Sequence, residues 1–149
     1  MPNPDHPTPD DGEVPRLGYL LKHAALRYGE LTSTKLEPLG IAPQEWAALN
    51  CLDEQHGHSQ KDVAELLGID RTTMVALIDR LQTQGWVERR PHPGDRRKNT
   101  VILTKKGRDM LRRGARLIDE CERQFLAALR GPAAEQLKNN LHTVIVANQ

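Results

Sequence analysis

No apolar run in this 149-residue sequence approaches the roughly 20 residues that a helix needs to cross a bilayer, so no membrane span is expected. Cysteine is nearly absent as well. Cys51 and Cys121 are the only two, each set in an apolar helical pattern, which argues against a short-spaced metal or disulfide pair and suits a reducing compartment. The first residues, MPNPDHPTPDDGEVP, lack the basic start and apolar stretch of a secretory leader. Rich in Pro and Asp, residues 1–13 read as a disordered tail on a cytoplasmic protein. A nucleophile with its base, paired carboxylates and a phosphate-cradling glycine loop are all missing from any plausible cleft, so neither an enzyme nor a cofactor is expected. His56-Gly57-His58 and Glu120-Cys121-Glu122 each fall short of a tetrahedral donor set, and no metal is expected.

What is present is an ordinary globular composition, 38% hydrophobic and 28% charged, with an uneven charge. The net charge is only +1, yet the segment from Arg71 to Arg116 carries 13 Lys and Arg against 4 Asp and Glu. The remainder is correspondingly acidic. A basic centre of this kind can hold a polyanion by displacing its counterions.

The length fits one folded unit. Leu17, Leu20, Leu21, Ala24, Tyr28 and Leu31 fall at steps of three and four, predicting an amphipathic helix within 14–39 that Gly40 ends. Pro43 opens a second helix, carried by Trp46, Ala47, Leu49, Cys51 and Leu52 to about Gln55. Ser59 with Asp62 forms a capping-box pattern for a short third helix, Gly68 closes it, and Asp70 can cap a fourth. That fourth helix puts Met74, Leu77, Ile78 and Leu81 on one face and stops at Gly85. Two β-type runs, 86–90 and 100–103, flank a polar stretch over 91–99, predicting a hairpin with a long basic tip. Thr104 then caps a long helix expected to run to Arg130, and Leu137, Leu141, Val144 and Ile145 stripe a last one.

The fold class that follows is mainly α with a small two-stranded β wing: a winged helix-turn-helix with N- and C-terminal dimerisation helices. Residues 41–104 form its DNA-binding lobe, and 14–40 with 105–149 its dimerisation helices. The terminal stripes exceed what a small lobe needs to cover itself, so a second copy is expected against them.

A duplex major groove admits a helix fixed by its apolar side to a core while its other side offers donors and acceptors. The helix of residues 71–84 meets that description, with Arg71, Thr72, Thr73 and Arg80 outside its apolar face. Ser59 and Gln60 open the preceding helix and are candidates for positioning on phosphate. On the wing, Arg96, Arg97 and Lys98 are candidates for an A·T-rich minor groove, with Asp95 orienting Arg97. Arg89, Arg90, Lys105 and Lys106 flank the tip and are expected to add nonspecific phosphate contacts.

The run Asp70-Arg71-Thr72-Thr73-Met74-Val75, then Ile78, Leu81 and Gly85, then Pro93-Gly94-Asp95-Arg96-Arg97-Lys98-Asn99 and Val101-Ile102-Leu103-Thr104-Lys105-Lys106-Gly107 together resemble the MarR family. The wing followed by Leu-Thr-x-x-Gly is the most specific part. The resemblance implies a homodimer with interlocked first and last helices, and readers spaced for a palindromic double-stranded DNA operator. It also implies repression relieved by a small phenolic or other aromatic ligand. By that resemblance Arg71, Thr72 and Thr73 sit in the major groove, with Asp95 and Arg97 at the wing tip. An effector site between dimer helices and DNA lobe would be lined by His23, Arg27, Tyr28 and Trp46, although Tyr28 and Trp46 at helical spacing suit core packing better.

Some members sense peroxide through a cysteine near the start of the first helix, which this sequence lacks; Cys51 and Cys121 read as packing residues. A redox- or metal-sensing regulator of this fold is thus an alternative, as is a winged helix serving as an architectural or protein-interaction module. The last would need neither a basic reader face nor an arginine wing.

Overall fold

The computed structural model describes residues 14–53, 58–92 and 94–149. The tail of residues 1–13 and the His56-Gly57 pair lie outside them, as do the side chains of His58, Arg96 and Lys98. The elements are α1 (Leu17–Leu36), a 3-10 turn (Glu37–Leu39), α2 (Pro43–Cys51), β1 (His58–Ser59), α3 (Gln60–Leu67), α4 (Arg71–Thr83), β2 (Val87–His92), β3 (Asp95–Leu103), α5 (Lys105–Phe125) and α6 (Ala133–Ala147).

Most element ends are set by short-range chemistry. Ser59 Oγ accepts the Asp62 N–H at 3.1 Å while the Asp62 carboxylate accepts the Ser59 N–H at 3.1 Å, closing the capping box of α3. Glu45 reaches back to the Ala42 N–H in the same sense at the start of α2. Asp70 caps α4 through the Thr73 N–H at 2.8 Å. Gly68, at φ 65°, takes the left-handed turn that joins α3 to α4.

The long fifth helix does not reach Arg130. It stops at Phe125, and turns over 126–129 lead to Gly131 at φ 59°. Leu126 and Leu129 continue the apolar stripe without continuing the helix. The second helix likewise ends at Cys51, where the Leu52 N–H is shared between the Ala48 and Leu49 carbonyls; Gln55 lies outside the described residues.

The core joins α1 to the lobe. Leu36, Leu49, Val63, Met74, Leu77, Ile78, Leu81 and Val101 are all within 1% of complete burial. Met74, Leu77, Ile78 and Leu81 come from one face of α4, each worth about 1.5–3 kcal/mol by area removed from water. Together they fix the azimuth of that helix. Trp46 ties α2 to α5, its indole N–H donating to the Leu111 carbonyl at 3.2 Å, and the ring sits where a side chain on Gly114 would have to go.

The sheet has the order β1-β3-β2, all antiparallel. The β2–β3 hairpin is the wing; two-residue β1 adds a third strand on its other edge. Pairing runs from Val87↔Leu103 to Pro91↔Asn99 and resumes at His92↔Asp95. The expected long loop over 91–99 is therefore mostly strand among its described residues, with a turn at Gly94 and Arg96-Arg97-Lys98 inserted in β3 as a bulge; Pro93 lies outside the described residues. Polar residues can pair as well as apolar ones when their main-chain groups need partners, and Pro91, which cannot donate, sits on the sheet edge where that costs little.

Cys121 is fully buried on α5, its Sγ 3.9 Å from the Leu31 carbonyl of α1, and burial pushes its thiol above the ordinary cysteine range. In native protein it should resist iodoacetamide and label only once the chain unfolds. Labelling of Cys121 at a free-thiol rate, followed by peptide mass spectrometry, would contradict this packing.

Candidate nucleic-acid interface

The N-termini of α3 and α4 and the outer face of β3 enclose one open groove of about 1160 Å³. Ser59, Gln60, Arg71 and Arg97 line it together, although Arg97 is far from the others in sequence. First-turn residues of both helices line this space, a place where helix dipoles favour an anion, with Lys61, Arg71 and Arg97 as its cations and Asp62 and Glu65 as its carboxylates. Sequence reasoning missed His92, Asn99 and Thr100, which complete the wing side. No sequence signal marked them, because the segment is polar throughout and the bulge at Arg96-Arg97-Lys98 interrupts the strand's two-residue period.

At the reader, Asp70 accepts both the Thr73 N–H and, at 2.7 Å, the Thr73 hydroxyl. These bonds hold its carboxyl below the usual aspartate range, the main-chain bond contributing most. The cap is thus kept charged above the ordinary carboxylate pKa and is lost only as pH falls through the depressed value. The Thr73 proton is committed to the cap, so Thr73 can offer an incoming base only its lone pairs. Arg71 and Thr72 are exposed. Arg80 is exposed too, but nine positions on from Arg71 it stands about half a revolution round α4 and does not line the groove.

On the wing, Asp95 acts on the main chain of Arg97: its Oδ1 accepts the Arg97 N–H at 3.0 Å, within the bulge. Asp95 thus shapes the backbone from which Arg97 projects.

Three cations expected on phosphate have partners within the protein. Arg89, whose side chain is only 22% exposed, bonds Gln60 Oε1 at 2.8 Å, Gln82 Oε1 at 2.5 Å and Asp79 Oδ1 at 2.7 Å. Lys106 donates to the Gln84 carbonyl at 2.9 Å, where the C-terminal end of α4 favours a cation. Arg90 pairs with Glu88. Lys105 remains exposed. On α5, Arg112 pairs with Asp109, so part of the basic segment lies away from the groove.

The residues nominated for an effector have the following surroundings within one chain. Tyr28 packs edge-on to Phe125 with ring centres 5.3 Å apart, and burial followed by the Glu122 carboxylate pushes its phenol up. His23 lies against Tyr19 at 4.0 Å, Arg27 is exposed, and Trp46 is held by Leu111.

A family model described as the MarR family matches residues 39–98. The transcriptional repressor MprA of Escherichia coli K12 is 31% identical over 121 residues, covering 80% of this chain and 69% of MprA. Across curated relatives the chain spans from 61% to 90% of their length. A solved structure of the transcriptional repressor CouR bound to a 23-mer DNA duplex superposes with a TM-score of 0.81 at 34% identity, over 87% of this chain and 92% of that one. The Mycobacterium tuberculosis MarR family protein Rv2887, in complex with p-aminosalicylic acid, gives 0.74 at 25% identity over 87% and 98%. Among the described residues no helix is long and apolar enough to cross a membrane. With its winged helix, its reader and wing on one groove, and relatives matched over most of its length, the chain belongs to the MarR family of DNA-binding transcriptional regulators.

Proposed function

We propose that the protein is a homodimeric repressor that binds a palindromic operator and is released by a small aromatic ligand. The observation that carries the DNA half is the shared groove, which α3, α4 and the wing line together with Ser59, Gln60, Arg71 and Arg97. Residues 71–84 enter the major groove, Arg71 and Thr72 reach base edges, and Arg97, with Arg96 and Lys98 beside it, lies along the flanking minor groove. Asp95 sets the wing backbone for that contact. CouR, solved on a DNA duplex, supports this reading.

Residues 41–104 serve as the DNA lobe, and 14–40 with 105–149 as the dimer helices, because the apolar residues of α1 and α6 have too little cover within one chain. Release works if a ligand binds one spacing of the two readers better than the other. The p-aminosalicylate complex of Rv2887 supports an aromatic acid as the ligand class, and Arg27 and His23 on α1 offer it a donor. A cytoplasmic location suits such a regulator of DNA.

Selection of random-sequence duplexes at two salt concentrations, followed by sequencing, tests the reading. A palindrome that survives the higher salt is expected; only salt-labile, sequence-blind binding would overturn it. On the selected duplex, Arg97→Ala should weaken binding, lower the salt slope by about 1 and relax the A·T preference beside each half-site. Unchanged affinity and footprint would remove the wing from the mechanism.

A further inference from the structure

We infer that Arg89 is the positioning residue that fixes the hydrogen-bond polarity of the DNA-facing surface. This rests on the DNA-binding reading above. Arg89 lies on β2 and contacts three groups on two other elements: Gln60 at the start of α3, and Asp79 and Gln82 on α4. A guanidinium has five N–H donors and no acceptor. An amide that meets it must therefore present its oxygen. Gln60, whose two ends are otherwise interchangeable by rotation, is locked with Oε1 on Arg89 and its NH₂ directed away from the guanidinium. Gln60 also lines the groove, so the end left for a ligand is a donor, which suits phosphate oxygens and opposes another cation or donor.

The same guanidinium compensates a liability. Asp79 is 60% exposed on the reader helix, and an unpaired carboxylate there would repel DNA. Arg89 neutralises it while anchoring the wing strand to α4, so reader, supporting helix and wing keep one relative placement. Arg89 acts through these partners and is itself largely covered, at 22% exposure. A direct phosphate contact would add to the salt slope; a positioning role would leave the slope alone and change discrimination.

The experiment compares wild type, Arg89→Ala and Arg89→Lys on the selected high-affinity duplex and on a scrambled duplex of equal composition, over a salt series. Thermal melting of each variant accompanies the titrations. In both variants the ratio of specific to nonspecific affinity should fall at least tenfold, with a salt slope within about half a unit of wild type. Lysine keeps the charge but has no planar fork to meet three acceptors, so it should not rescue. Should Arg89→Ala unfold, Arg89→Lys alone carries the test. A slope lowered by about 0.9 in Arg89→Ala and restored by Arg89→Lys would make Arg89 a plain phosphate contact and overturn the inference. So would an unchanged affinity ratio in a folded variant. Wild type that discriminates between no duplexes overturns instead the DNA-binding reading on which the inference stands.

Discussion

Gly107→Ala should destabilise the protein by about 3 kcal/mol or more, lowering its melting temperature by about 10 °C, although the residue lies in a helix where alanine is normally preferred. A Cβ at Gly107 would sit 1.9 Å from the Trp86 carbonyl oxygen and 2.9 Å from its carbon. Both atoms are backbone, so no rotamer change relieves the clash. The same carbonyl accepts the Thr104 N–H at 3.1 Å, the Thr104 hydroxyl donates to the Gly85 carbonyl at 2.5 Å, and the Gly107 N–H donates to Thr104 Oγ1 at 3.0 Å. This knot joins the end of α4, the start of β2 and the start of α5. Pushing α5 away would also move the reader helix relative to the rest of the chain, so DNA affinity should fall with stability. Gly29→Ala is the control: it too lies mid-helix, with nothing within 4 Å of a new Cβ, and should stabilise by about 0.5–1 kcal/mol. Chemical denaturation of both variants checks the pair, and a Gly107→Ala midpoint equal to wild type would mean that α5 and Trp86 are not in contact as described.

That knot also shows what a sequence can and cannot disclose. Thr104 as a cap, and the Leu-Thr-x-x-Gly pattern as a marker, are readable because capping is local: a hydroxyl serves an N–H three residues on. The reason for glycine at 107 is not readable, since it depends on a carbonyl more than twenty residues earlier in the chain. The same division runs through the fold. Caps at Ser59 and Asp70, the turn at Gly68 and the buried face of α4 follow from spacing alone. The bulge at Arg96-Arg97-Lys98 does not, because a stretch without apolar alternation carries no period from which to infer pairing. Charge was misread for a related reason. A lysine or arginine in a basic segment looks solvated until its acceptors are known, and those of Arg89 and Lys106 lie on elements brought near only by the tertiary fold. The groove residues of α3 and α4 were legible because each sits beside a recognisable cap; those of the wing needed the register.

A double substitution on the last helix, Leu141→Glu with Ile145→Glu, should convert the proposed dimer to monomer and cost at least 100-fold in affinity for a palindromic duplex. Helix α6 has 15 residues and none of them is buried; Leu137, Leu141, Val144, Ile145 and Val146 are 38–59% exposed. A helix of that length is marginal in water on its own propensity, and its ion pair to α5, Lys138 with Glu122 at 3.0 Å, is a solvent-exposed contact that adds little. Something must cover its apolar side, and the exposed Leu17, Leu20, Leu21 and Leu26 of α1 give a second copy a complementary surface. Leu141 and Ile145 lie one turn apart, so two glutamates place adjacent charges in the seam. Once the seam opens, the two readers no longer bind as one unit, and the advantage of tethering, about 10²–10⁴, is lost while each half-site contact survives. The lobe should keep its fold, because α6 contributes nothing to the core that holds α4 and the wing. Sedimentation and titration with half-site and full-site duplexes separate the outcomes. A monomer that binds the half-site as wild type does, and the full site no better, is the expected result. A variant that remains dimeric would move the interface elsewhere on the surface, and a monomer with undiminished full-site affinity would show that one reader suffices.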